Sequence, residues 1–345
     1  MKKLIDKLNV NGTLSYDEFC LLVSDYTDDD RQYAANLAHD IAHQHFDNRI
    51  FIRGLIEISS YCKNDCLYCG IRKSNKNAQR YRLTKEQIMD CCKAGYDLGF
   101  RTFVLQGGED MYYSDEVVVD IVSDIRINYP DCAITLSLGE RSKESYQKLF
   151  DAGANRYLLR HETADSEHYA RLHPENLTLE NRMECLKNLK EIGYQTGCGF
   201  MVGSPYQSAK TIAKDLKFIS EFKPEMVGIG PFIPHKDTPF GELDGGNLEL
   251  TLFLLSLVRI MLKKVLLPST TALGTIHKDG RQLGILAGAN VVMPNLSPSD
   301  VRKKYLLYDN KICTGDEAAE SLKSLKKTME IIGYEIAVSR GDYIY

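Results

Sequence analysis

Ile50-Phe51-Ile52-Arg53-Gly54-Leu55-Ile56-Glu57-Ile58 is an apolar, β-branched run that passes directly into Ser59-Ser60-Tyr61-Cys62-Lys63-Asn64-Asp65-Cys66-Leu67-Tyr68-Cys69-Gly70. A strand followed by a polar, cysteine-rich loop sets the pattern for the rest of the chain. With 50–58, short apolar runs at 102–106, 133–138, 156–160, 196–202, 226–230, 269–272 and 290–293 make eight predicted strands. Between them lie helical stretches such as 85–98, 114–128, 143–151, 179–191 and 210–221, the first opening behind the capping box Thr84-Lys85-Glu86-Gln87. This alternation signals parallel βαβ units, and eight of them fit an α/β fold of the closed (β/α)8 TIM barrel type. Residues 1–48 read as an N-terminal helical extension, with a capping box at Ser15-Tyr16-Asp17-Glu18 and an acidic helix start at Thr27-Asp28-Asp29-Asp30. The barrel is expected over 49–300, and 301–345 as a C-terminal segment closing it.

Composition narrows the function. The 345 residues carry 43 Lys+Arg against 47 Asp+Glu, a net charge of −4, with ten Cys and no Trp. No basic stripe offers a phosphate backbone its counterions' place, so nucleic acid is not the expected partner. The N-terminus has charge but no apolar h-region, and the apolar stretch 250–267, interrupted by Arg259, Lys263 and Lys264, reads as one helix against a core rather than a membrane span. A cytoplasmic protein is expected. In a reducing compartment the scattered Cys20, Cys91, Cys92, Cys132, Cys185 and Cys198 read as small buried hydrophobes.

The remaining signal is C-x3-C-x2-C at Cys62, Cys66 and Cys69. Three thiolates in eight residues suit a soft inorganic centre such as an iron–sulfur cluster, and three ligands on a four-iron cube leave one iron open for chemistry. Half a zinc site, a thioredoxin-like pair and a chance grouping are the competing readings. The first lacks a second Cys or His pair, and the second leaves Cys62 idle. Polar groups also follow the other strands, at Gln106-Gly107-Gly108-Glu109-Asp110, His161-Glu162-Thr163, 231–235 and Asn295, where a barrel places its active site.

With Tyr68 immediately before the last Cys, the motif resembles that of the radical S-adenosylmethionine (SAM) superfamily, and Gly107-Gly108-Glu109 resembles its GGE element. Longer stretches resemble HydE, the [FeFe]-hydrogenase maturase family, over nearly the whole chain. They are 68–77, 135–140, 156–164, 226–235, 270–272 and 293–295, with Arg53 on the first strand. The resemblance implies one [4Fe-4S] cluster on three Cys plus SAM, whose reductive cleavage yields a 5′-deoxyadenosyl radical. It implies SAM contacts from Tyr68, Gly107, Gly108, Glu109, Ser137, Arg160, Glu162 and Arg182. It assigns the substrate to Arg53, Gln106, Thr135, Thr270, Thr271 and Met293, with Tyr305 closing the cavity. Those neutral donors and cations suit a small anionic guest, and the family's substrate is an organometallic iron species bearing CO, cyanide and cysteine. Implied partners are HydF- and HydG-type maturases and a reductant such as a ferredoxin or flavodoxin. The residues alone leave plainer readings: an Arg160–Glu162 ion pair, a solvated helix face for Arg182, a core aromatic for Tyr305. A mutase or sulfur-inserting enzyme like methylornithine synthase or biotin synthase, and a non-catalytic iron–sulfur scaffold, remain alternatives. Cys313 resembles part of a second, surface cluster site, but no Cys follows it to complete one.

Overall fold

A computed structural model describes residues 1–312 and 318–345, and Cys313 lies outside the described residues. The strands are β1 (Arg49–Ile52), β2 (Gly54–Ser59), β3 (Thr102–Gly107), β4 (Ala133–Ser137), β5 (Arg156–Leu158), β6 (Gln195–Cys198), β7 (Met201–Val202), β8 (Met226–Val227), β9 (Gly230–Pro231), β10 (Val291–Val292) and β11 (Glu335–Ala337). Hydrogen bonding runs β2-β3-β4-β5-β6-β8, and a separate β10-β1-β11 group flanks it. Parallel bridges from Met226 to Leu266, Pro268 to Val291 and Leu55 to Asn295 carry the pairing round. The result is a (β/α)8 barrel with three helices, Lys2–Asn11, Tyr16–Asp25 and Asp28–Phe46, ahead of it.

Three expected strands are interrupted, each for a local reason. The first divides at Arg53, so that β1 pairs with β10 and β11 while β2 pairs with β3. The fifth and sixth divide together, where Gly199 takes φ +148 with Gly228 beside it. The expected strand at 269–272 is absent. The seventh stave is instead the Leu266 and Pro268 bridges, and Thr271–Ile276 is already helix. Its β-branched residues suggested a strand, but Thr270 stands at the helix N-cap. The apolar stretch is likewise shorter than expected: its helix is Leu248–Met261, with every residue from Thr251 to Met261 buried. Arg259 is 0 % exposed within it, donating to the Gly288 and Lys263 carbonyls and to Asn290 Oδ1. Among the described residues no helix is long and apolar enough to cross a membrane.

In-register neighbours of a parallel sheet face the same way. Glu57, Gln106 and Ser137 therefore form one inward row, and Leu55, Val104, Thr135 and Arg156 the row beneath it. The alternate residues Ile56, Leu105, Leu136 and Tyr157 belong to the main apolar core. The C-terminal tail runs across the lower opening, with the Arg340 carbonyl on Thr102 Oγ1 and Asp342 on Arg156. β11 and this tail carry no periodicity long enough to have been read from the sequence.

Candidate active site

The Cys62–Cys69 loop leaves the top of β2 and is fixed largely through its backbone. Lys63 N donates to the Glu109 carbonyl at 2.9 Å, Leu67 N to Leu172 at 3.0 Å and Gly70 N to Leu307 at 2.8 Å. Arg80 spends its guanidinium on the carbonyls of Ser60, Ile71, Arg72 and Asn75. That clamp was invisible in the sequence, where Arg80 is one cation among several. Tyr68 donates to His173 Nε2 at 3.2 Å, and His173 Nδ1 is 3.0 Å from the Tyr169 carbonyl. Burial holds His173 down to about 3, so the ring is neutral, with its proton on Nδ1 and Nε2 free to accept.

All three thiols of the loop are free. Burial pushes each upward, and the thiols add to one another's shift: Cys66 rises further through Cys69 and Cys62, and Cys69 reaches about 12 with Cys62 contributing. Thiolates in half-buried positions whose charges act on one another need a cationic centre between them. Among the described residues no three His, Cys, Asp or Glu side chains converge on a single ion. A cluster asks for something else, one sulfur for each of several irons, and the donor set fits that demand.

The Gly-Gly-Glu turn packs directly on this loop. Gly107 ends β3 opposite Ser59. A Cβ on Gly108 would lie 2.2 Å from the Tyr61 carbonyl oxygen and 2.8 Å from Cys62 Cβ. Glu109 reaches the turn after β4, where Glu140 N donates to its Oε1 at 3.1 Å, and its Oε2 faces Lys63 Nζ at 3.3 Å. Gly139 there has φ +78, and a Cβ on it would fall 2.0 Å from Glu109 Cγ. Ser137, at the end of β4, is half-buried beside Gln106.

After β5, Arg160 Nη2 and Glu162 Oε2 lie 3.1 Å apart, the ion pair the residues alone suggested. Neither atom is aligned for a hydrogen bond, so both keep donor and acceptor capacity for a ligand. Glu162 is held at φ 64, a strained value for a residue with a side chain. The surroundings impose it. Glu162 N donates to Gly199 O, Gly199 N to His161 Nδ1, and His161 Nε2 sits 3.4 Å from the fully buried Asp215, which also accepts from Ala164 N. Arg182 is buried rather than solvated. Its Nε is on Glu140 Oε1 and its Nη1 on the Arg160 carbonyl, so it ties the β4 and β5 turns together. Glu140 belongs to the 135–140 stretch, whose residue types alone gave it no role.

Below this rim the barrel encloses polar atoms without partners. Arg53 is 5 % exposed, with one contact, Nη1 to Met226 Sδ at 3.0 Å, and its Nε and Nη2 unbonded. Thr135 Oγ1 and Thr270 Oγ1 are also shielded and unbonded. Gln106 donates to the buried Tyr305 hydroxyl at 3.4 Å, Thr271 opens its helix half-buried, and Met293 packs at the edge of the Phe46, Phe51, Met226, Leu266 and Val291 cluster. One inward residue was missed. Glu57 is 0 % exposed in the Gln106 row, bonded to Asn295 at 2.9 Å and to Lys311 of the C-terminal segment. On a strand its alternation looks like a solvent face, and only closure of the barrel turns it inward.

The barrel and the order of its loops define a radical SAM protein, and the Radical SAM superfamily profile matches residues 56–219. The likeness to one branch extends much further. The chain is 45% identical over 297 residues to the [FeFe] hydrogenase maturase subunit HydE of Thermotoga maritima, covering 86% of this chain and 84% of that one. The 3-methylornithine synthase of Methanosarcina acetivorans is 30% identical over 335 residues, 96% and 93% of the two chains. The crystal structure of methylornithine synthase superposes with a TM-score of 0.85 at 28% identity, covering 97% of each chain. The chain belongs to the HydE family of radical SAM enzymes. Membership implies a [4Fe-4S] cluster and SAM.

Proposed function

We propose that this enzyme holds one [4Fe-4S] cluster on Cys62, Cys66 and Cys69 and acts on a small, anionic, cysteine-bound organometallic iron species during assembly of the [FeFe]-hydrogenase active site. When bound, the cluster and SAM supply a 5′-deoxyadenosyl radical. The protein's own part is positional and electrostatic. Glu109 and the Gly107-Gly108 turn meet the amino end of SAM, while Arg160 and Glu162, locked from beneath by His161 and Asp215, meet its carboxylate and hydroxyls. Arg182 sets the spacing of those turns. Tyr305, with Gln106 beneath it, roofs the chamber and keeps water from the reacting sulfur.

The observation that carries this reading is the set of unbonded donors inside the barrel. Arg53 Nε and Nη2 with Thr135 and Thr270 Oγ1 are a cation and two hydroxyls in a dry chamber, where leaving them without partners is costly. A small anion supplies the acceptor that Arg53 lacks. Hydrogenase maturation itself is supported by the 45% identity to HydE. HydF- and HydG-type maturases are the expected exchange partners, with a ferredoxin or flavodoxin as reductant and the cytoplasm as the setting.

The test is anaerobic reconstitution followed by dithionite, SAM and the candidate iron complex. The complex should raise 5′-deoxyadenosine release, and free amino acids should not. Stimulation by ornithine or lysine instead would favour the methylornithine synthase type of chemistry, and no release at all would leave a scaffold. Cys66→Ala should lose both cluster absorbance and cleavage, and retained cleavage would refute the ligand assignment.

A further inference from the structure

The chamber's charge is not settled by the barrel alone. Glu57 points inward from β2, four residues along from Arg53, so that the two lie roughly 13 Å apart along the strand. A bare carboxylate there would oppose Arg53. It is not bare. Lys311 enters from outside the barrel, bonds Glu57 Oε1, donates to the Tyr305 carbonyl at 2.9 Å, and lies 4.8 Å over the Tyr305 ring. The pair is dry, 8 % exposed on the Lys311 side chain and 1 % on Glu57. Asn295 Nδ2 donates to the second carboxylate oxygen at 2.9 Å. Among the described residues, no ion pair includes Arg53.

We propose that Lys311 is a specificity-determining residue that sets the sign of the guest. By cancelling Glu57 it leaves the cations of the lining and floor, Arg53, Arg156 and Arg340 against Asp342, in excess, and so selects anions over amines. This rests on the reading of the chamber as an anion site and adds which residue makes it one. The same ammonium group occupies the carboxylate that the amine of a free amino acid would otherwise find. A short segment from outside the barrel thereby separates two chemistries that one set of cluster and SAM residues would serve equally well.

Iodide is the probe, because its anomalous scattering locates it in soaked crystals of the cluster-loaded enzyme. Its occupancy beside Arg53, followed against concentration, gives an affinity. Lys311→Met should weaken it roughly tenfold, the effect of a unit charge at about 13 Å in a medium of effective dielectric near 20. Glu57→Gln added to Lys311→Met should restore it, because the carboxylate and not the lost packing is responsible. Wild-type affinity in Lys311→Met, or a double variant as weak as the single one, overturns the proposal. Absence of iodide beside Arg53 in the wild-type protein overturns the anion-site reading and this inference with it. If Lys311→Met does not accumulate, Lys311→Arg and the double variant decide: both should bind iodide as the wild type does, and a folded Lys311→Arg that does not bind it counts against a role for the charge.

Discussion

Two arginines sit buried in this barrel and are treated in opposite ways. Arg156, 0 % exposed on the inward row of β5, has its hydrogen bonds made: Nε to Gln195, Nη1 to Thr102, Nη2 to the Arg340 carbonyl and to Asp342 at 2.7 Å. Arg53, also buried, meets a single thioether, and its Nε and Nη2 have no hydrogen-bond partner. Burial lowers the affinity of both for their protons, and for Arg53 the neighbouring Arg156 lowers it further. A buried cation with a full set of partners is architecture. One without them marks a place where the protein tolerates a cost that a ligand relieves.

The contrast is broken most forcefully at Arg156. Arg156→Met takes from the floor of the barrel the donor shared by Gln195, Thr102, the Arg340 carbonyl and Asp342; because Asp342 is about a third exposed and keeps Arg340, the cost is about 1–3 kcal/mol. Chemical denaturation should show that loss, while the cluster absorbance and SAM cleavage of the protein that remains folded stay as in the wild type. An unchanged denaturation midpoint would mean the floor is not where the stability lies.

Arg53→Met should do the reverse. Removing an unpaired buried charge leaves the denaturation midpoint unchanged or raised, whereas the guest loses hydrogen bonds to a charged group, each worth about 1.5–3 kcal/mol, or roughly 10- to 100-fold in affinity. Cleavage of SAM in the absence of substrate should persist, and the stimulation by substrate should disappear. A variant that unfolds like Arg156→Met would erase the distinction drawn between the two residues.

What the sequence made legible follows the same division. The cysteine loop, the Gly-Gly-Glu turn and the helix caps at Ser15 and Thr84 are local patterns, and the chain folds them where it spells them. Partnership across the barrel is not local. Arg53 and Arg156 both read as polar residues in strand runs, and what separates them is a tail some 185 residues beyond Arg156, the interval to Arg340 and Asp342. Glu57 gave no sign of facing inward, because its neutralising Lys311 lies 254 residues away. The strand expected at 269–272 failed because Ser, Thr and Thr suit both a pleated strand and a helix cap, and the shape of the turn, not the residue types, chose the cap.

The smallest effect lies in the pH dependence of the floor. Burial raises the Asp342 carboxyl, but Arg156 and Arg340 outweigh it, and the group sits below the ordinary Asp value of about 3.9. A carboxylate depressed on folding adds stability that is fully present above its unfolded value and is lost as pH falls through its folded value. In the wild type this part of the stability is therefore constant from neutrality down to about pH 4 and declines below that. Arg156→Met leaves Asp342 with Arg340 alone, at 2.7 Å on the open side of the tail, so the depression and the decline should both shrink. Denaturation midpoints of the cluster-free chain, taken between pH 6 and pH 3 so that acid loss of iron does not enter, should show the two proteins converging below about pH 4. Parallel curves would show that Asp342 does not draw its charge from Arg156, and the floor arginine would then owe its place to the Arg340 carbonyl, Thr102 and Gln195.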